Sequence, residues 1–497
     1  MIIGDFHIHS KYSRATSADC VPESLDLWAR RKGISLLGTG DFTHPAWREM
    51  LAQRLEPAPE EGLYVLREEL RQDSGTHDDG RPRFIVTGEI SSIYKKNGRV
   101  RKVHNLILLP SLEAAQELSL RLEAIGNIHS DGRPILGLDS RDLLEITLEA
   151  APDAVFIPAH IWTPHFSLFG AFSGFDTIEE CFEDLTPYIH ALETGLSSDP
   201  PMNWRLSALD RFLLVSNSDA HSPQKLGREA NLLTCPLSYP AVAASLRGEQ
   251  DGLAGTIEFF PEEGKYHFDG HRACHVCLAP PEAERTDGLC PVCGKRMTTG
   301  VLHRVEQLAD RPEGTEPPGR KPFERLIPLP EVIGASLGIS AAGKRAAAIY
   351  ERLLHEVGPE FFILREAPLS QIETVAGGCV AEGLRRMRAG EVELSPGFDG
   401  EYGKIQLLSD EDIGRLSGQM TLFGEDTSSE REAMPKVETP KEEKKPEVRT
   451  GDKGEMDDLL GSLNDRQQEA VTAPERAVAV IAGPGKPARS RQKSCIW

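Results

Sequence analysis

The chain has 497 residues, 39% of them hydrophobic, enough for roughly two to four domains with real cores. Its formal net charge of −21 argues against nonspecific coating of nucleic acid or anionic membrane, while leaving room for a local basic patch that binds phosphate. No apolar run approaches the ~20 residues of a membrane span, and the start MIIGDF lacks the pattern of a signal peptide, so a cytoplasmic protein with no membrane partner is expected.

In chain order, strand-like apolar runs (MIIGDF, ISLLGTGD, FIVTGE, HNLILLP, AVFIPAH, YIHALE, FLLVSNSD) alternate with amphipathic segments such as PESLDLWARRKG and SLEAAQELSLRLEAIG up to about residue 260. Such alternation predicts an α/β domain with a parallel sheet or barrel. The first run ends in His7 and His9, whose spacing on a strand turns both rings to one face. Asp41 ends the second run and Glu89 the third, His104 opens the fourth, His160 ends the fifth, and Asp219 with His221 ends the last. In an α/β barrel the carboxyl ends of strands gather on one face, so these five histidines and three acids would converge into a metal cluster. Imidazoles with carboxylates suit zinc, manganese or iron, and a carboxylate such as Glu89 can bridge two ions. Such a cluster hydrolyses phosphate esters with no nucleophilic side chain, and the sequence has no convincing GxSxG elbow.

The motifs FHIHS, GTGD, TGE, the His of KVHNL, PAH and SDAH, in this order, resemble the polymerase and histidinol phosphatase (PHP) superfamily of metal-dependent phosphoesterases. The resemblance implies a distorted (β/α) barrel over residues 1–262 with two or three catalytic divalent metals (Zn²⁺, Mn²⁺ or Mg²⁺). By the same resemblance His7, His9, Glu89 and Asp219 would hold one ion, and Glu89, His104 and His160 a second. Asp41 and His221 would lie near the third, with His7, His9, Glu89, Asp219 and His221 carrying catalysis. The chain departs from many members by having KYSR after the HxH and Phe42 after Asp41, with a displaced His44 open to ligation or to a turn role. Longer stretches (HSKYSRATS, LLGTGDFTHP, HIWTPHFSLFGAFSGFDTIEECF) look like the endonuclease Q family over roughly residues 1–410. That likeness implies an endonuclease that cuts 5′ of deaminated bases such as uracil and hypoxanthine, using a metal-bridged hydroxide. A phosphatase of small monoesters, or a non-catalytic protein that binds lesions or recruits a helicase, are the alternatives.

Further on, SSIYKKNGRVRKVHN reads as a hairpin around Asn97-Gly98, carrying Lys95, Lys96, Arg99, Arg101 and Lys102 toward His104. This ribbon could hold DNA phosphates or be an ordinary solvated hairpin. The aromatic loop after His160 either packs under the rim or stacks on an extruded base, with Trp162, Phe166 and Phe169 as candidates. Cys274, Cys277, Cys290 and Cys293 form two CxxC pairs twelve residues apart, the spacing of a structural Zn²⁺ ribbon, placed at 263–312. A mostly helical domain over 313–424 would help clamp DNA or mediate oligomerisation. Residues 425–460 read as a disordered linker. Residues 461–497 look like the start of a superfamily-1 helicase, with Gln467 or Gln468 as the adenine reader, which suggests a fused or downstream helicase partner. Pro487 follows Lys486 where a phosphate loop requires Ser or Thr, so ATP binding is not expected, and the reading is of a helicase gene interrupted within the loop.

Overall fold

The computed structural model describes residues 1–76 and 80–423, with side chains through residue 417. The expected linker at 425–460 and the helicase-like segment at 461–497 lie outside the described residues. Residues 1–425 form one compact unit, so the helical carboxyl-terminal part is joined to the α/β body rather than tethered to it.

Twelve strands frame the α/β body: β1 (Ile2–Asp5), β2 (Leu36–Gly38), β3 (Leu55–Pro57), β4 (Tyr64–Leu66), β5 (Arg83–Lys96), β6 (Arg99–Leu109), β7 (Ile135–Leu136), β8 (Val155–Pro158), β9 (Ala191–Glu193), β10 (Leu213–Val215), β11 (Ala230–Leu233) and β12 (Leu253–Glu258). β1, β2 and β5 pair in parallel, as expected. β5–β6, β6–β8, β1–β11 and β11–β12 are antiparallel, which corrects the expectation of a parallel sheet. The reason lies in the connections: Asn97 and Gly98, both at positive φ, make a two-residue turn from Lys96 to Arg99, and so short a link can join only antiparallel strands.

One buried cluster takes Phe6 after β1, Leu36 of β2, Ile85 of β5, Leu106 of β6, Ile157 of β8, Ala191 of β9, Val215 of β10 and Leu233 of β11. Successive strands therefore share one interior. β9 and β10 pair only with each other, in parallel, and side-chain amides connect their ends to the main sheet. Asn231 donates to the Ser216 carbonyl at 2.8 Å and accepts from the Ser216 amide at 3.1 Å. Asn217 accepts from the Phe6 amide at 2.8 Å and donates to Glu193 at 2.8 Å. These bonds satisfy buried groups that would otherwise lack partners.

The helical part begins where Phe323–Arg325 adds in parallel to β12. Its helix Lys344–Glu356 buries Ala346, Ile349, Tyr350, Leu353 and Leu354 in the same core as Leu25, Ala29 and Trp47. Buried Lys32 pairs with Glu360 at 2.8 Å, and Trp28 stacks on Tyr350. The arginines of the Gly378–Ala389 helix are engaged within the fold: Arg386 pairs with Glu382 and Asp412, and Arg388 donates to the carbonyls of Ile363, Leu364 and Ala367.

Two buried carboxylates sit beneath the strand ends. Glu258 accepts from Ser216 at 2.6 Å and from Thr194 and Thr256, and Glu229 accepts from the Phe259 amide. Burial pushes Glu258 up to about 7, and burial together with Glu258 raises Glu229 as well. The folded state thus keeps protons that the unfolded chain releases, so stability is full below the unfolded value near 4.5 and falls as pH rises toward 7. Glu258 alone is expected to remove about 3 kcal/mol across that window, from the shift at ~1.4 kcal/mol per unit. Urea unfolding of the wild type and of Glu258→Gln at pH 5.5 and pH 8 checks this: the difference between the two proteins should grow at pH 8 in favour of the variant.

Candidate metal centre

His7 and His9 follow β1, and an isolated parallel bridge between Ile8 and Ala220, with the His9 amide donating to the Ala220 carbonyl at 3.0 Å, sets them beside Asp219 and His221. Glu89 lies within β5 opposite β6, which brings it to His104, and His160 follows β8. Three groups of donor atoms result: His7, His9 and Glu89; His9, Asp219 and His221; and Glu89, His104 and His160. Glu89 serves two of them. Its Oε1 lies 2.6 Å from His104 Nδ1 and 3.0 Å from His160 Nε2, and its Oε2 lies 3.4 Å from His9 Nε2 and 3.6 Å from His7 Nε2. Asp219 Oδ1 lies 3.0 Å from His9 Nε2 and 3.7 Å from His7 Nε2. His7 Nε2 is buried without a hydrogen-bond partner and faces these carboxylates. A buried orphan nitrogen among carboxylate oxygens is what a bound cation would satisfy, so the donor set fits divalent ions.

A second layer fixes the rings. His7 Nδ1 lies 3.0 Å from both oxygens of Glu193, whose Oε2 also accepts from the His160 amide at 2.7 Å. These bonds turn Nε2 of His7 toward the cluster. Asp41, His160 and Asp219 all have positive φ, a backbone state that costs of order 1–3 kcal/mol and concentrates at functional sites. Gly195 permits the turn at His160, since a Cβ there would stand 2.4 Å from that of His160.

Burial alone would raise Glu89, but His104, Arg133 and His7 hold it well below the ordinary carboxylate range. Burial likewise opposes charge on His9, yet its bonds to Asp219 and Asp41 lift it to about 9. Burial pushes His104 down to about 4, so that ring presents a free lone pair at neutral pH. Entering cations would take the place of the protons on His7 and His9.

Several expectations change. Asp41 is not among the converging donors: its Oδ1 holds Nδ1 of His9 at 3.1 Å, and its Oδ2 accepts from the Ser10 amide and from the hydroxyls of Ser10 and Ser13, leaving no free oxygen for an ion. His44 accepts a turn role, contacting the His129 carbonyl and stacking on Tyr12. Of the basic hairpin, Arg101 is buried, stacks on Phe175 and donates to the Gly174 carbonyl. Lys96 is bound by Asp139, Glu183 and the Cys181 carbonyl. Only Lys95, Arg99 and Lys102 keep the outward role, with Lys102 over the Phe166 ring. Trp162 and Phe169 are core residues, Trp162 donating to Asn203 at 2.7 Å, whereas Phe166 stands against His104 at the cluster. In the cysteine-rich segment His271, Cys274, Cys290 and Cys293 converge. Cys277, paired with Gly270 in the short hairpin beside His271, falls outside this group. Sequence reasoning missed Glu193 and Arg133; Glu193 ends the run YIHALE as Glu89 ends FIVTGE, while Arg133 carries no motif.

Replacing the Glu193 carboxylate should weaken binding at His7 by about 10- to 100-fold, the usual cost of removing a partner of a ligating imidazole. Calorimetric titration of metal-free Glu193→Gln with Mn²⁺ checks this; wild-type affinity would remove Glu193 from the site. In the cysteine-rich segment, the bound-metal content of His271→Ala is expected to fall while that of Cys277→Ser is retained. The reverse result would restore the four-cysteine site.

A family model described as the MJ0043 C-terminal domain matches residues 328–391, within the helical part. The chain is 29% identical over 283 residues to the uncharacterized protein MJ0043 of Methanocaldococcus jannaschii, a match covering 54% of this chain and 35% of that protein. It is 31% identical over 384 residues to the uncharacterized protein YqxK of Bacillus subtilis, covering 76% of this chain and 90% of YqxK. The chain thus spans about a third of MJ0043 and nearly all of YqxK. Among solved structures, the lesion-specific endonuclease PfuEndoQ of Pyrococcus furiosus superposes with a TM-score of 0.71 at 29% identity, covering 83% of this chain and 98% of that one. Endonuclease Q in complex with a 27-mer duplex bearing an abasic lesion at its active site gives the same values. At 31% identity over nearly the whole of YqxK the chain belongs to the YqxK family, and it shares its fold with endonuclease Q.

Proposed function

We propose that the protein is a metal-dependent endonuclease of DNA repair that cuts the phosphodiester 5′ of deaminated bases such as uracil and hypoxanthine, and of abasic sites. One observation carries the reading: a chain alignable to 98% of endonuclease Q brings its own His7, His9, Glu89, His104, His160, Asp219 and His221 to one point. Divalent ions held there would make hydroxide from water near neutral pH and stabilise charge on the oxygens of the scissile phosphate. The residues of the chain hold and orient: Glu89 joins two donor groups, Asp219 and His9 connect the third, and Glu193 and Asp41 fix the imidazole rings from behind. Phe166, with Lys102 over its ring, stands at the edge of the group around His104, where a displaced nucleotide could stack and its phosphate be countered.

The same reading takes the strands around the common interior as a distorted barrel over 1–262, the segment 263–312 as a small metal-ribbon domain with one structural Zn²⁺, and 313–424 as a helical domain beside the DNA path. The shared cluster from β1 to β11 supports the first, and the grouping of His271 with three cysteines supports the second. Among the described residues no helix is long and apolar enough to cross a membrane. A helicase partner, expected from residues 461–497, has no support among the described residues.

Labelled duplexes carrying one uracil, hypoxanthine, abasic site or normal base, incubated with Mn²⁺ or Mg²⁺, test the proposal. The expected result is a nick immediately 5′ of the lesion that Asp219→Ala abolishes. Phosphate release from a small monoester with every duplex left intact would overturn it.

A further inference from the structure

Arg133 has no place in the metal-donor set, yet it reaches into it. Its Nη1 donates to Glu89 Oε2 at 3.1 Å, the oxygen that also faces His7 and His9, and Asp219 is close enough to act on its charge. That bond uses one donor of the guanidinium. Among the described residues its other N–H groups make no hydrogen bond, and they are not enclosed, the side chain being 23% exposed.

The loop that carries it is built rather than loose. Buried Asp131 accepts from the Arg133 amide at 3.2 Å and the Arg14 amide at 3.3 Å, and pairs with the Arg14 side chain. The Gly132 amide donates to the Tyr12 carbonyl, Thr43 donates to the Gly132 carbonyl, and the Ser91 amide donates to the Pro134 carbonyl. Gly132 itself lies so close to Asp41 that a Cβ would stand 2.1 Å from Oδ2. The loop therefore holds one cation against the donor groups. A cation beside a site that gathers divalent cations is repelled by them unless an anion shares the space. The planar fork of a guanidinium, with spare donors, matches two oxygens of a phosphate.

We propose that Arg133 is a substrate-contacting residue that grips a non-bridging oxygen pair of the scissile phosphate, in addition to any balance it gives Glu89 in the metal-free protein. The assignment rests on the endonuclease reading for the identity of that phosphate.

The test compares full-length wild type, Arg133→Met and Arg133→Lys. Each is assayed for bound metal, for inorganic phosphate affinity by calorimetry after Mn²⁺ loading, and for kcat and KM on the lesion duplexes. Arg133→Met is expected to lose at least tenfold in phosphate affinity with metal content unchanged, and Arg133→Lys to recover part of it, since charge survives without the fork. Phosphate affinity equal to wild type, or a loss that only follows metal loss, would overturn the inference and leave Arg133 as a positioning residue of Glu89. If wild type cuts no duplex while the phosphate result holds, the endonuclease reading falls and the assignment of Arg133 as a phosphate contact stands.

Discussion

A carboxylate with no solvent access is costly unless its charge is answered, and Glu89 is such a group at the centre of this molecule. His104, His160, His7, His9 and Arg133 answer it from four segments of chain. Removing a partner from a buried charge costs far more than the pair contributes, so the surrounding strands have little freedom to shift. β5 supplies Glu89 and β6 supplies His104 across the longest ladder of the sheet, which makes that hairpin the rigid base of the site.

The second layer carries as much of the design as the donors. Glu193 holds His7 and the backbone of His160 at once, and Asn217 connects Glu193 to the amide of Phe6. One side-chain network therefore fixes the first strand end, the turn after β8 and the ends of β9 and β10. Beneath it burial raises Glu229 and Glu258, and no cation stands at hydrogen-bond distance from Glu258 among the described residues to oppose it. Neighbouring carboxylates thus divide into two kinds. Glu89 and Asp219, facing histidines, are held in the ionised form, whereas at Glu258 burial outweighs the hydroxyl bonds and favours the protonated form.

The basic residues follow a similar division. Arg101 and Lys96 read in sequence as part of a phosphate-holding ribbon, but each finds partners within the fold, as do Arg386 and Arg388. Arg133, unremarkable in sequence, keeps open donors beside the cluster. The helical part shares its core with the α/β body, which fixes it at one flank of the molecule instead of letting it swing on a linker.

The sequence by itself marked the histidines and carboxylates that converge, because period-two side-chain direction and polar residues closing apolar runs are local signals, although Glu89 and His104 lie inside β5 and β6 rather than at strand ends. The hairpin at Asn97-Gly98 was legible for the same reason, since two adjacent residues suited to positive φ define that turn. Only the tertiary structure decided which face of His9 Asp41 occupies, because ligand and ligand-holder are the same residue type and differ only in direction. It also brought His271 to Cys274, Cys290 and Cys293, a grouping that the regular CxxC spacing does not indicate. Glu193 and Arg133 meet the site from 186 and 44 residues away from their partners His7 and Glu89, a juxtaposition made by packing that no local pattern records.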